Sequence, residues 1–446
     1  MIHLITQQKR FFTDLIDTQS SLQDCFEYIS KLKYISLDSE TSGLRCHTHK
    51  LYSIQVGDKH NQWFIDWNVM TKSDILKLKT ILESKIIIGQ GLKFDMGFLM
   101  KQGIYLKRIW DTYLAEFKIY HGDHLIKCNL EAINDRYIGD GSIKKSDRSH
   151  IGANMTEAFV VYGAYDIKNL EDIMWLQRKK IKELDIMRAV MLEMAFCIPL
   201  SYIEFCGMYL DPVKWQHKIN IRKQELVEAT KKLVEYVHSN PKLERFASKQ
   251  MDLWNPDAEK TVLINWSSSS QVTKLFQKLG IKTYAIKKGK KVSSIDAKVL
   301  EPQSKEFEII PLYLALKELE KDISTYGESW IEDINPNTGR IHTTYRQIMD
   351  TDRLSSGNKN DETKNFQNIP NEDKDPDNPN QVFTRKCFTN QYSYTTLVNC
   401  DYSGTITNIF PYICIWKKYI KNQMVFLHLY LITFIKTQIY TWSKSI

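Results

Sequence analysis

Beyond Asp401 the chain holds no aspartate or glutamate, although its earlier part is rich in both. A site that needs several carboxylates therefore cannot be assembled from that stretch. The eight cysteines form no C-x-x-C pair and show no zinc-ligand spacing, which argues against a structural zinc site and a redox-active pair. Several sit in apolar runs, as Cys197 does in Ala195-Phe196-Cys197-Ile198, and read as reduced core thiols of a cytosolic protein. The N-terminus has no apolar stretch of signal-peptide length. The apolar run 424–435 contains His428 and is shorter than the roughly 20 residues that span a bilayer. No internal repeat is visible, and no Ser-His-Asp pattern offers an activated side-chain nucleophile. The expected setting is cytoplasmic, with no membrane partner.

What is present is ordinary in bulk. At 446 residues the chain is too long for one core and suits two or three domains. With 43% hydrophobic and 26% charged residues it has the composition of a soluble globular protein. The net charge of +8 permits binding to a polyanion without demanding it. Residues 1–185 read as α/β: strand-like runs at 33–37, 51–56 and 62–65, then helical stretches at 73–82, 94–101, 111–120 and 155–175. Strands first and helices later predict a mixed sheet covered by helices. From 186 to 330 the pattern is mostly helical: 186–205, where Pro199 should kink or interrupt the helix, then 213–237, a helix capped by the serines 267–270 and running to 278, and 311–326. The segment 287–291 reads as a charged loop, 335–339 as a turn, and 340–345 as a strand.

Four carboxylates carry the chemistry. Asp38 and Glu40 lie in Leu37-Asp38-Ser39-Glu40-Thr41, Asp95 in Lys93-Phe94-Asp95, and Asp166 in Tyr162-Gly163-Ala164-Tyr165-Asp166. Two residues apart on a strand, Asp38 and Glu40 project from one face. Asp95 opens a helix after an apolar strand, and Tyr162 lies one helical turn before Asp166, on the same side. Acids of this kind, able to converge, suit two Mg2+ or Mn2+ ions used in phosphodiester hydrolysis. The pattern resembles the proofreading 3′–5′ exonucleases of the DEDD superfamily, in the variant whose last motif carries a tyrosine. That resemblance implies an RNase H-like domain with Asp38, Glu40, Asp95 and Asp166 as metal ligands and Tyr162 orienting the attacking water. It also implies that Thr41 touches the terminal sugar and Leu44 wedges against the last base of a single-stranded DNA 3′ end. One departure stands out: Gly91 occupies a position where the family usually has asparagine, so a side-chain amide for the substrate is missing.

Three later segments resemble family A DNA polymerases. Residues 317–326 and 339–343 resemble the end of a thumb helix and its passage into the palm. Thr351-Asp352-Arg353-Leu354-Ser355-Ser356 with Asn365-Phe366-Gln367-Asn368-Ile369-Pro370 matches a longer motif, and Asp401-Tyr402-Ser403 the start of a palm metal motif. By that resemblance Arg353, Asn365, Gln367 and Asn368 contact a primer-template duplex, and Asp401 is a palm metal ligand. The palm motif is then broken after Gly404, and residues 404–446 hold five lysines, one histidine and no acid. The expectation is a helical thumb over 186–340, a palm beginning over 341–403, and an aberrant, disordered tail read as a frameshift, which leaves the polymerase site incomplete. Three functions compete: a 3′–5′ DNA exonuclease within a polymerase for DNA replication, a non-catalytic DNA-binding remnant, and a stand-alone RNA-trimming exonuclease. The thumb-like and 353–370 segments argue against the last. Any processivity partner is left open.

Overall fold

The structure, a computed structural model, describes residues 1–8, 14–141, 152, 154–247, 261–287, 289–349, 354–357, 363–370 and 383–392. Arg353, Asp401 and the 404–446 tail lie outside the described residues. Two units are distinguished: Met1–Tyr209 with Asn335–Ile369, and Leu210–Ile334 with the described residues of Pro370–Ser393.

The first unit is built on a mixed seven-stranded sheet. Its strands are β1 (Ile2–Ile5), β2 (Ile16–Asp17), β3 (Tyr34–Thr41), β4 (Leu51–Gly57), β5 (Gln62–Asp66), β6 (Ile86–Gly89) and β7 (Ile109–Asp111), in the order β2-β1-β5-β4-β3-β6-β7. β3 runs antiparallel to β4 and parallel to β6, and β6 runs parallel to β7. The carboxyl ends of β3, β6 and β7 therefore share one edge, where open α/β sheets commonly place ligands. A register shift between Glu40 and Thr41 bends β3 at that edge, the position where bulges re-aim side chains.

Helices cover both faces. The larger core unites Ile35 and Leu37 of β3 with α1 (Leu22–Lys31), α2 (Lys72–Ser84), α3 (Lys93–Lys101), α4 (Thr112–Ile119), α7 (Leu170–Glu183) and α8 (Met187–Cys206). Capping boxes at Ser21/Asp24 and Thr71/Asp74 fix where α1 and α2 begin. α5 (Leu130–Tyr137) follows α4. The smaller core joins Leu4 and Phe64 to Phe159, Val160 and Ala164 of α6 (Glu157–Lys168). The helix expected over 155–175 is thus two helices, broken at Asn169. That residue is buried, and its amide donates to Asn134 at 2.8 Å and Asp140 at 3.0 Å. Conversely, α8 runs through Pro199 without interruption. It is long and apolar enough to cross a bilayer, but here Val190, Met194, Cys197 and Leu200 are buried in protein. Ion pairs Lys118–Glu193 and Lys93–Glu204 tie its two ends to α4 and α3. Packing along the helix outweighs the one hydrogen bond that proline removes. In place of a continuous strand over 340–345, Arg340 and Ile341 make single antiparallel bridges to Asn335 and Met208, and Tyr345–Arg346 pairs antiparallel with Ser355–Ser356.

The second unit is largely helical. α9 (Pro212–Ser239), α10 (Ser269–Leu279), α11 (Ala297–Leu300) and α12 (Ile309–Thr325) enclose a core of Leu233, Val237, Phe276, Tyr313 and Leu316, while Trp330 of α13 (Ser329–Glu332) packs on Trp215 of α9. Gly280, at φ 86°, ends α10. The segment read as a loop forms a hairpin, β8 (Tyr284–Lys287) with β9 (Lys290–Ser293). Lys218 is buried against Trp215 and Tyr326 and pairs with Asp322 at 3.0 Å.

Candidate active site

The alternation of β3 sorts its side chains to two faces. Asp38 and Glu40 point to the α6 side, where Asp166 meets them: the three carboxylates offer oxygens that all lie within 4.8 Å of one another. Two helix–sheet contacts make this approach possible. Ala164 is buried at the interface, and Gly163 has no side chain to hold α6 away. A Cβ added there would lie 2.9 Å from the Phe64 ring and 3.0 Å from the Gln55 amide.

Asp95 comes from the other side of the strand. Ser39, on the same face as Leu37, donates its hydroxyl to Asp95 Oδ1 at 2.5 Å, and Asp95 is buried. The structure thus brings Asp38, Glu40 and Asp166 into one cluster and sets Asp95 beside it, reached around the end of β3. The first turn of α3 is fixed by Asp111 at the end of β7. Its buried carboxylate accepts the Gly91 and Leu92 N–H groups at 3.0 and 2.8 Å, and that of Tyr113 at 2.9 Å. Neither Ser39 nor Asp111 stands out in the sequence as more than a polar neighbour and a helix cap. Asp111's place directly before the helix 112–119 was the only available signal for it.

Electrostatics follow from this crowding. Burial, then the charges of Asp95, Asp166 and Glu40, hold the Asp38 carboxyl well above the usual range. Burial likewise lifts Asp95 to about 7, against the opposing effect of the Ser39 hydrogen bond. Tyr162 hydrogen-bonds Asp166, and burial together with that carboxylate pushes its phenol up, so it remains a neutral donor. Three converging carboxylates, with Asp38 among them resisting ionisation, fit a site for divalent cations, and an all-oxygen donor set suits Mg2+ or Mn2+.

Thr41, at the β3 bulge, donates to the Gly43 carbonyl at 2.9 Å, and Leu44 is 65% exposed on the loop that follows. Gly91 has φ 71°, and a Cβ there would meet nothing within 4 Å. Asn365 caps the turn Phe366–Asn368, accepting the N–H groups of Gln367 and Asn368 and the Ser356 hydroxyl. Gln367 accepts the Ser356 N–H at 2.9 Å and donates to the Leu354 carbonyl at 3.1 Å, so its amide builds the motif itself. Gln367 and Asn368 are exposed.

Residues 13–195 match the family described as 3′–5′ exonuclease, and residues 238–406 match DNA polymerase family A. The chain belongs to the family A DNA polymerases with an N-terminal 3′–5′ exonuclease domain. DNA polymerase I of Borreliella burgdorferi is 30% identical over 380 residues, covering 80% of this chain and 38% of its own length. DNA polymerase I of Aquifex aeolicus is 24% identical, covering 78% of this chain and 57% of its own length. The DNA polymerase of Escherichia phage T5 is 24% identical, with 76% and 41% covered. The chain therefore spans between 38% and 57% of the length of these relatives. In fold it is similar to the POL domain of Pol1 from M. smegmatis, solved in complex with DNA primer-template and dNTP. The TM-score is 0.57 at 17% identity, covering 79% of this chain and 55% of that one. The family A exonuclease match contains all four acids and Tyr162. The polymerase match contains the 365–370 segment and Asp401, and ends at residue 406.

Proposed function

We propose that this chain removes nucleotides one at a time from DNA 3′ ends by metal-dependent hydrolysis. The observation that carries the reading is the convergence of Asp38, Glu40 and Asp166 within 4.8 Å, with Tyr162 bonded to Asp166. Asp38, Glu40, Asp95 and Asp166 would hold two Mg2+ or Mn2+ ions, which lower the pKa of bound water and offset charge on the departing 3′-oxygen. Tyr162, kept neutral, orients the water toward the scissile phosphate. Ser39 holds Asp95 in place, while Thr41 and Leu44 face the terminal sugar and last base of the single strand. The segments 1–185, 186–340 and 341–403 would act in turn as hydrolytic domain, duplex-holding thumb and palm beginning. Arg353 and Asn368 would contact a primer-template duplex, with Asn365 and Gln367 shaping the turn that presents Asn368. We further propose that these 446 residues do not polymerise by themselves. Asp401 would be their one palm ligand, and no acid follows it. The setting would be the cytoplasm of a bacterium or phage-infected cell.

A second reading, a DNA-binding remnant, draws on Gly91, which offers the substrate no amide. One assay separates the two. The chain is incubated with a 5′-labelled primer on a template, Mg2+ and all four nucleotides, beside an Asp38→Ala control. Stepwise shortening that the control lacks is the expected result. Extension would overturn the polymerase part of the reading, and duplex binding without any cutting would leave the remnant.

A further inference from the structure

We infer that Glu204, on α8, is a positioning residue for the metal site, acting through Lys93 on the helix that carries Asp95. The inference rests on the exonuclease reading above. Lys93 is the first residue of α3, two before Asp95. Its ammonium is ion-paired with Glu204 Oε1 and also donates to the Tyr345 carbonyl at 2.8 Å. The same Glu204 oxygen accepts the Tyr345 N–H at 2.5 Å, and the Glu204 backbone carbonyl meets the His342 ring at 3.0 Å. Three chain segments far apart in sequence thus close on one carboxylate. Both charged side chains are mostly withdrawn from solvent, at 23% and 16% exposure, so the pair is screened far less than a surface one.

The geometry explains why such a fastener is needed. The first turn of α3 receives no side-chain cap from its own N-cap residue, Leu92. Asp111 anchors the Gly91 and Leu92 amides from the β7 side. Lys93, one residue on, is held from α8. Asp95 hangs between these anchors and the Ser39 hydroxyl. A metal ligand approaching around the end of a strand needs its helix held in rotation as well as in place, and groups that orient ligands without touching the metal tune its affinity. Glu204 has no role in the residues that the motifs point to, and nothing in the sequence links it to Lys93.

The test compares the full chain with Glu204→Gln, which can still accept the Tyr345 N–H but no longer offsets the Lys93 charge. Lys93→Met serves as the second variant. Three quantities are measured: Mn2+ affinity by electron paramagnetic resonance without DNA, kcat and KM on a single-stranded oligonucleotide, and the melting temperature in chelator. The expected result is Mn2+ affinity and kcat lower by about tenfold in both variants, with KM for Glu204→Gln unchanged. A fall in melting temperature with unaltered Mn2+ affinity would reduce Glu204 to a structural tie and overturn the proposal. Wild-type chain that neither binds Mn2+ nor cuts would instead overturn the exonuclease reading beneath it.

Discussion

Ser39 stands between two carboxylates of the acidic cluster, Asp38 and Glu40, and points away from both, and this is its use. Strand alternation turns its hydroxyl to the α3 side, where it reaches Asp95 at 2.5 Å. Replacing it with alanine removes no ligand but frees Asp95 to rotate and leaves a buried carboxyl without that donor. Ser39→Ala should weaken metal binding by about 10- to 100-fold, the usual effect of losing a partner behind a ligand. Its check is the Mg2+ concentration that half-saturates nuclease activity, with saturating metal recovering most of the rate. Gly91 poses the opposite case. Its φ of 71° is left-handed, and asparagine is among the few side-chain-bearing residues that tolerate that region. Space for a side chain is open there. Gly91→Asn should therefore fold normally and lower KM for a single-stranded 3′ end severalfold. An unchanged KM would mean that the chain grips its substrate by other groups.

At the scale of elements, the close contact of α6 with the sheet decides whether Asp166 reaches its partners. Gly163→Ala must push the helix off Phe64 and Gln55. The cost should be about 1–3 kcal/mol of stability, with nuclease activity falling further than stability accounts for; denaturant melts and turnover on one preparation separate the two. A second contact gives stability an acid limit. The His47 and His342 rings lie 4.2 Å apart, bridging the loop after β3 and the segment after Asn337. Burial, with His47, Arg340 and Arg45 nearby, holds His342 down to about 4, and burial also lowers His47. A histidine depressed in the fold leaves the unfolded chain binding more protons between the ordinary 6.5 and about 4. Stability is thus present above that window and lost as pH falls through it, by about 3 kcal/mol at most for His342. Denaturant unfolding across the window should show the loss, and His342→Gln should flatten it. These elements also mark what the sequence could and could not say. β3, β4, β5 and α3 were legible because their periodicity is local. The break at Asn169 was not, because the amide's partners, Asn134 and Asp140, are far away in the chain. Nor was the unbroken course of α8 through Pro199, which depends on packing that no local pattern records.

For the whole molecule, the legible part was the set of acids in order. The illegible part was how they divide around β3, since the order of motifs does not say from which face each arrives. That division has a thermodynamic consequence for the metal-free chain. Burial and mutual repulsion raise Asp38, and burial raises Asp95 to about 7. A carboxyl whose pKa is raised in the fold leaves the native state binding more protons than the unfolded chain. Its contribution therefore destabilises the protein progressively as pH climbs from the ordinary 3.8 toward about 7. Divalent metal reverses this, because ligands must ionise to bind it and the ion offsets their repulsion. Two linked outcomes are expected. Mn2+ should raise the melting temperature, by an increment that grows between about pH 5 and about pH 8, since only the folded chain assembles the site. Binding should also release protons near neutral pH, detectable as a dependence of calorimetric heat on the buffer's ionisation enthalpy. Asp38→Asn should remove most of both effects while leaving the His342 acid limit untouched, because the two lie at different places in the fold. A melting temperature that ignores Mn2+ at every pH would mean that the carboxylates do not share a cation, and the hydrolytic reading would fall with it.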